Sequence, residues 1–186
     1  MDGEVLQREA DEAADLSAEA GPSPAAEATA DPRAEALDVR LREIEDDDVP
    51  VLFEFQRDPE AVRMAAFPGR DREAYYSHVA RIRADPTVTF RTILAGGQVA
   101  GDIVAWDDAG QRTVGYWIGR AFWGRGVATR ALAAFIAIET IRPLFAHVAS
   151  HNVASLRVLQ KCGFVAVGHR GPLPDDPVEE LLLRLE

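Results

Sequence analysis

Two short stretches of this 186-residue chain carry residue types spaced for chemistry. The first runs Tyr116-Trp117-Ile118-Gly119-Arg120-Ala121-Phe122-Trp123-Gly124-Arg125-Gly126-Val127-Ala128-Thr129. A strand pattern ends there, a link follows, and a helical pattern begins on two glycines separated by one residue. A helix start offers unpaired N–H groups and the positive end of the helix dipole. Gly124 and Gly126 have no Cβ, so a ligand can approach the backbone, and the turn suits an anion such as a diphosphate. It is not a P-loop, because Gly126 is followed by Val127-Ala128 rather than by Lys and Ser or Thr. A dinucleotide fingerprint follows the first strand of a parallel βαβ unit, whereas this turn follows the third strand of an antiparallel meander. Taken alone, it is either an anion site or a glycine-bearing link with no ligand.

The second stretch is His151-Asn152-Val153-Ala154-Ser155-Leu156-Arg157, continuing to Cys162-Gly163-Phe164. Ser155 sits where hydrogen bonding at a helix N-terminus is expected, which serine performs well. His147 and His151 could relay a proton through water near neutrality. They straddle a strand and a loop, so they do not form a zinc pair, and no metal site is expected. Cys162, the only cysteine, excludes an internal disulfide and reads as packing. Asp102 is the nearest carboxylate on a neighbouring strand and reads as a solvated strand acid.

The elements that must position these residues follow from periodicity. Val39 to Arg42 alternates like a half-buried strand. Asp46-Asp47-Asp48 before Val49-Pro50 marks a helix start, and Asp58-Pro59 ends that helix. A short helical turn passes through Val62-Arg63-Met64. Asp71 to Ala84 is a helix with Tyr75, Val79 and Ile82 on one side. Thr87–Leu94, Val99–Trp106 and Arg112–Gly119 are three strands, the first two a hairpin. From Gly124 a helix with a wide apolar surface runs to Pro143, carrying Val127, Ala131, Leu132, Ala134, Phe135, Ile138 and Ile141, and it is expected to be buried on more than one side. Leu144–Ala149 is a strand, Asn152–Lys161 a helix, and Phe164–Val167 and Val178–Leu185 are the last strands. The order β-α-α-β-β-β-α-β-α-β-β is mixed α/β.

Charge is uneven. The net charge is −11 overall, yet residues 1–36 hold ten acids against two bases and the remaining 150 residues are nearly neutral. The Ala-rich acidic stretch 1–36 has no aromatic residue and reads as a disordered tail, or as a docking arm for a basic partner. The domain is 37–186. With no basic face, a nucleic-acid partner is not expected. No apolar run is long enough for a membrane span and the N-terminus has no signal-peptide h-region, so a cytoplasmic location is expected.

Trp123-Gly124-Arg125-Gly126-Val127-Ala128, followed by Asn152-x-x-Ser155 and Gly163-Phe164, resembles the GNAT superfamily of N-acetyltransferases, in particular its ribosomal-protein N-terminal acetyltransferase branch. The resemblance implies a mostly antiparallel sheet flanked by helices and acetyl-CoA as co-substrate. The amides of Gly124, Arg125, Gly126, Val127, Ala128 and Thr129 would hold the pyrophosphate, and the strand end at Trp117, Ile118 and Gly119 the pantetheine arm. That strand is expected to splay from the one at 144–149. Asn152 would bond the pantetheine or its acetyl region. Arg125, Arg130 and Arg157 are candidates for the CoA phosphates. The Ile118 region would supply an oxyanion N–H. Many relatives carry a Tyr acid seven residues after the Asn, but here that position is Leu159, and Ser155 is the substitute the branch implies. A homodimer is compatible with the resemblance.

Such a reaction needs a neutral amine. An α-amine of pKa about 8 costs about 1.4 kcal/mol to deprotonate at pH 7, a lysine about 4.6. A protein N-terminus or another low-pKa small amine is therefore the easier acceptor. Arg63 to Arg70, with Met64 and Phe67, is the expected acceptor wall. Tyr116 and Trp117 should point to opposite faces of their strand. A protein that kept the fold and binds acyl-CoA without catalysis is the alternative.

Overall fold

The structure, a computed structural model, describes residues 37–171 and 178–186. The acidic tail lies outside the described residues. Seven strands form one sheet in the order β1-β2-β3-β4-β5-β7-β6. The strands are β1 (Val39–Glu43), β2 (Thr89–Ala95), β3 (Gln98–Asp108), β4 (Gln111–Ile118), β5 (Leu144–Ala149), β6 (Val165–Arg170) and β7 (Glu180–Leu185). The helices among the described residues are α1 (Asp48–Gln56), α2 (Pro59–Ala65), α3 (Arg72–Ala84), α4 (Val127–Ile138) and α5 (Val153–Lys161), with a 3-10 turn at Arg120–Phe122. Every strand pair is antiparallel except β4 and β5.

Side-chain alternation along the strands separates two cores. Ile93, Ala95, Ile103 and Ala105 face α4, together with Val127, Ala131, Leu132 and Phe135. Phe90 and Val104 belong to the other face, under Leu52, Phe53, Tyr75 and Val79 of α1 and α3. Tyr75 and Val79 are buried, as their spacing predicts.

Three expectations need correcting. The short turn through Val62–Met64 is a helix of seven residues, α2, because Asp58 accepts from the amides of Glu60 and Ala61 and Pro59 opens the first turn. Helix α4 stops at Ile138, short of Pro143, because Glu139 turns inward to Arg112 and leaves Ile138 and Ile141 exposed. The same helix buries a single stripe, and Ala134 is exposed.

The feature that shapes the site is the β4–β5 pair. It is parallel and registers only Arg112 with Leu144 and Thr113 with Phe145. Beyond Thr113 the strands part, and β5 pairs with β7 along its whole length instead. The closed end of this gap is clamped. Arg112 donates to Glu139 at 2.6 Å, to the Thr87 carbonyl at 2.7 Å and to Thr89 Oγ1 at 3.1 Å, and Thr89 in turn donates to Glu139 at 2.9 Å. The start of β2, the start of β4 and the end of α4 are thereby tied together.

Candidate active site

The turn before α4 is built by two left-handed glycines, Gly124 at φ 71° and Gly126 at φ 70°. A side chain there would cost about 1 kcal/mol or more of steric strain. Gly126 caps α4 without a side-chain hydrogen bond. Among the described residues, none of the backbone N–H groups of 124 to 129 donates within the chain, and the first helical donation is from Arg130 N to Gly126 O. Residues 124–126 are exposed. Six donors thus cluster at the positive end of a twelve-residue helix.

Two arginines belong to the cluster, Arg125 within it and Arg130 one residue beyond it. Arg130 folds back over the turn and donates to the Arg125 carbonyl at 2.7 Å. Arg125 and Arg157 are exposed and form no ion pair among the described residues. Thr129 is half-buried, and its carbonyl lies 3.5 Å from Cys162 Sγ. Burial pushes the Cys162 thiol above its ordinary range, which keeps it protonated and inert.

The end of β4 fixes which backbone groups face the gap. Gly119 N–H donates to the Ala100 carbonyl at 2.8 Å. The alternation of an antiparallel ladder then turns the N–H groups of Tyr116 and Ile118 away from β3, toward the side that β5 has left. The Ile118 carbonyl is engaged by Trp123 Nε1 at 2.7 Å, which explains a tryptophan at the head of the glycine motif: it ties the turn to the strand end. Gly119 is spent on packing, because a Cβ there would press into the Phe55 ring.

Tyr116 and Trp117 do point to opposite faces. Trp117 Nε1 donates to the Phe55 carbonyl on α1 at 3.0 Å. The Tyr116 hydroxyl lies 2.7 Å from Ser155 Oγ on α5. Ser155 is held from behind, where its N–H donates to Asn152 Oδ1 at 3.1 Å. Asn152 is therefore a helix cap whose amide nitrogen stays available. Burial pushes the Tyr116 phenol up to about 12, with the Ser155 hydrogen bond acting against the shift, so it remains a proton carrier. Reading the sequence missed this pair. Leu159, at the position where relatives carry Tyr, is buried in the core.

On the other face, α2 packs against β5, and His151 Nε2 meets the Arg63 carbonyl at 3.0 Å. This brings the 63–70 segment beside the N-terminus of α5. Phe67 is 41% exposed and lies under the Arg70 guanidinium at 5.0 Å, so it is a surface group rather than core. His147 is paired with Glu180 at 3.6 Å on the β5–β7 ladder. Asp102 is not a solvated strand acid: it is 7% exposed, because α1 and α3 cover its face of β3.

No curated protein matches the chain. Solved structures do. A spermidine N-acetyltransferase from Vibrio cholerae, in complex with CoA and spermine, superposes with a TM-score of 0.69 at 13% identity, covering 79% of this chain and 94% of that one. RimL, a ribosomal L7/L12 alpha-N-protein acetyltransferase in complex with CoA, gives 0.67 at 19%, covering 79% and 93%. An aminoglycoside acetyltransferase in complex with CoA gives 0.62 at 17%, covering 78% and 94%. These likenesses establish the fold. A family model described as an acetyltransferase (GNAT) domain matches residues 38–165. On that match, and with the sheet and glycine turn described above, the chain belongs to the GNAT family of acetyltransferases.

Proposed function

We propose that this chain moves the acetyl group of acetyl-CoA to a primary amine, by direct attack of the amine on the thioester carbonyl. The observation that carries the reading is the cluster of free amides at 124–129, flanked by unpaired arginines, at the edge of a sheet that opens between β4 and β5. The amides and Arg125, Arg130 and Arg157 suit a diphosphate and its neighbouring phosphate. Asn152 and the N–H and C=O groups of β4 that face the gap suit the amide-bearing pantetheine arm. The residues present therefore fit acetyl-CoA as donor.

In the transfer, the amine nitrogen forms the new C–N bond and the C–S bond breaks. The Ile118 N–H stabilises the developing oxyanion. The leaving sulfur takes a proton from Ser155 Oγ, and Tyr116 replaces it across their 2.7 Å hydrogen bond. The acceptor enters from the face of α1 and α2, bordered by Met64, Phe67 and Arg70. It is a protein N-terminus or a small amine, acceptors that the structurally similar enzymes also use. We assign the catalytic domain to 37–186 and place the protein in the cytoplasm. No described helix is long and apolar enough to cross a membrane.

Calorimetry with acetyl-CoA, followed by thiol release over a panel of amines and peptide N-termini, tests the reading. Binding with turnover supports it. No binding at millimolar acetyl-CoA rejects it, and binding without turnover on any acceptor favours the non-catalytic acyl-CoA-binding alternative.

A further inference from the structure

We propose that Asp102 accepts the proton of the incoming amine, from the face of the sheet opposite the Tyr116–Ser155 pair. The proposal rests on the acetyl-transfer reading above and adds the base that it lacks.

The argument begins with three buried acids that differ in how they are satisfied. Asp48 accepts from both Arg42 nitrogens, from Thr92 Oγ1 and from the Glu45 amide. Glu139 accepts from Arg112, Thr89 and the Ile141 amide. Asp102 has neither an ion pair nor a hydrogen bond among the described residues, and its Oδ1 is wholly enclosed. Burying a carboxylate with no donor is costly, and a fold that needed the residue only for structure would supply one.

Its place in the sheet gives the reason. Asp102 is the cross-strand partner of Trp117, one residue before the Ile118 N–H that faces the gap. It therefore stands on the face of α1 and α3, whereas Tyr116 crosses to α5 on the other. Acid and base thus lie on opposite faces of the sheet on neighbouring strands, and β4 alone stands between Asp102 and the opening beyond Thr113. The charged and titratable groups around Asp102 are Tyr75 from α3, with Arg70 beyond it, and Asp48 with its Arg42 partner behind Thr92 on β2; none bonds to it. Burial pushes its pKa up to about 7, the range in which a base works at neutral pH. The balance closes. As the C–N bond forms and the C–S bond breaks, one amine proton passes to Asp102, directly or through one water, and the sulfur gains one from Ser155, which Tyr116 reprotonates; the Tyr116 phenolate and the Asp102 acid then exchange protons with solvent to reset the site.

Thiol release from acetyl-CoA is measured from pH 5.5 to 9 with spermidine, an aminoglycoside and a short peptide with a free N-terminus. Wild type, Asp102→Asn and Asp102→Glu are compared, with Asp102→Leu in reserve should the Asn variant not fold. Wild type is expected to lose kcat/KM below about pH 7. Asp102→Asn should lose that limb and at least tenfold of the rate at pH 7.5, keep its acetyl-CoA affinity within twofold, and be partly rescued by Glu. A purely structural residue would not move the limb. An Asn variant within twofold of wild type, with the limb intact, overturns the proposal while leaving acetyl transfer standing. If wild type binds acetyl-CoA but none of these amines turns over, carbon NMR of the Asp102 carboxyl decides. A titration unmoved by amine and acetyl-CoA together also overturns it. Absence of acetyl-CoA binding to wild type removes the acetyl-transfer reading itself, and this proposal with it.

Discussion

Tyr116 and Ser155 are 39 residues apart, and only the topology brings their oxygens to 2.7 Å. Ser155 is a poor proton donor by itself, and in the proposed mechanism the phenol behind it resupplies the proton passed to the sulfur. Tyr116→Phe removes one oxygen and keeps the ring, so the proposed mechanism expects kcat to fall about a hundredfold, the lower end of the usual range for general acid–base catalysis. Calorimetry should show acetyl-CoA affinity unchanged; a variant with wild-type kcat would take Tyr116 out of the proton path. Asp102 yields a separate prediction, on stability. Its folded pKa, about 7, lies above the ordinary carboxylate value. The unfolded chain therefore releases this proton more readily, and the penalty on folding is absent below about pH 4, grows to pH 7 and is full above it. Asp102→Asn should thus raise stability by up to about 4 kcal/mol at pH 8, from three pKa units at 1.36 kcal/mol each, and change it little at pH 4. Denaturant midpoints at the two pH values check this. The alternation of Tyr116 with Trp117 was legible from the strand period, and Ser155 came forward through the family resemblance. The Tyr116–Ser155 contact and the burial of Asp102 were not, because both depend on helices that arrive from elsewhere in the chain.

At the scale of elements, the turn before α4 was the most legible part of the molecule. Two glycines, a helix period and a preceding strand pattern define it locally, and its amides are free of internal partners. Gly126→Glu tests what that turn does. A Cβ at Gly126 meets only Arg130, so the fold should survive with about 1 kcal/mol of left-handed strain, or a few degrees in Tm. The new carboxylate would sit among the amides offered to a diphosphate and repel it. Acetyl-CoA affinity is expected to fall at least a hundredfold by calorimetry, about 2.7 kcal/mol. Gly101→Ala should behave in the opposite way. Its Cβ would overlap the Trp117 carbonyl oxygen where β3 and β4 approach, so the loss there is of folding. Element ends were the least legible. The apolar period that carries Ile138 and Ile141 predicts a helix reaching Pro143, but the pull of Arg112 on Glu139 stops it at Ile138. A salt bridge 27 residues long in sequence leaves no local trace.

For the domain as a whole, the same Arg112–Glu139 pair lies at the end where the sheet stays shut. The last paired residues of β4 and β5 lie beside it, and everything beyond them is gap. Both side chains are nearly inaccessible, at 4% and 3% exposure. Burial raises the Glu139 pKa, but the Arg112, Ile141 and Thr89 hydrogen bonds outweigh it and hold the group below its ordinary value. Its stabilising contribution is therefore present above the unfolded carboxylate pKa and is lost as pH falls through the lower folded value. Glu139→Gln should destabilise the domain by about 3–5 kcal/mol, because Arg112 is left buried and charged with only the exposed Asp107, 3.8 Å away, as counter-charge. Arg112→Met alone should do the same by stranding Glu139. The double variant, Arg112→Met with Glu139→Met, removes both charges and should recover most of the loss, since neither stranded ion remains. Urea denaturation of the four proteins at pH 7 measures the coupling. A sum of the single losses in the double variant would mean that the pair does not act as a unit. Acetyl-CoA affinity of the double variant adds the functional reading. If the clamp only closes the sheet, affinity returns with stability; if it also sets the angle at which β4 and β5 part, affinity stays low in a protein that is otherwise as stable as wild type.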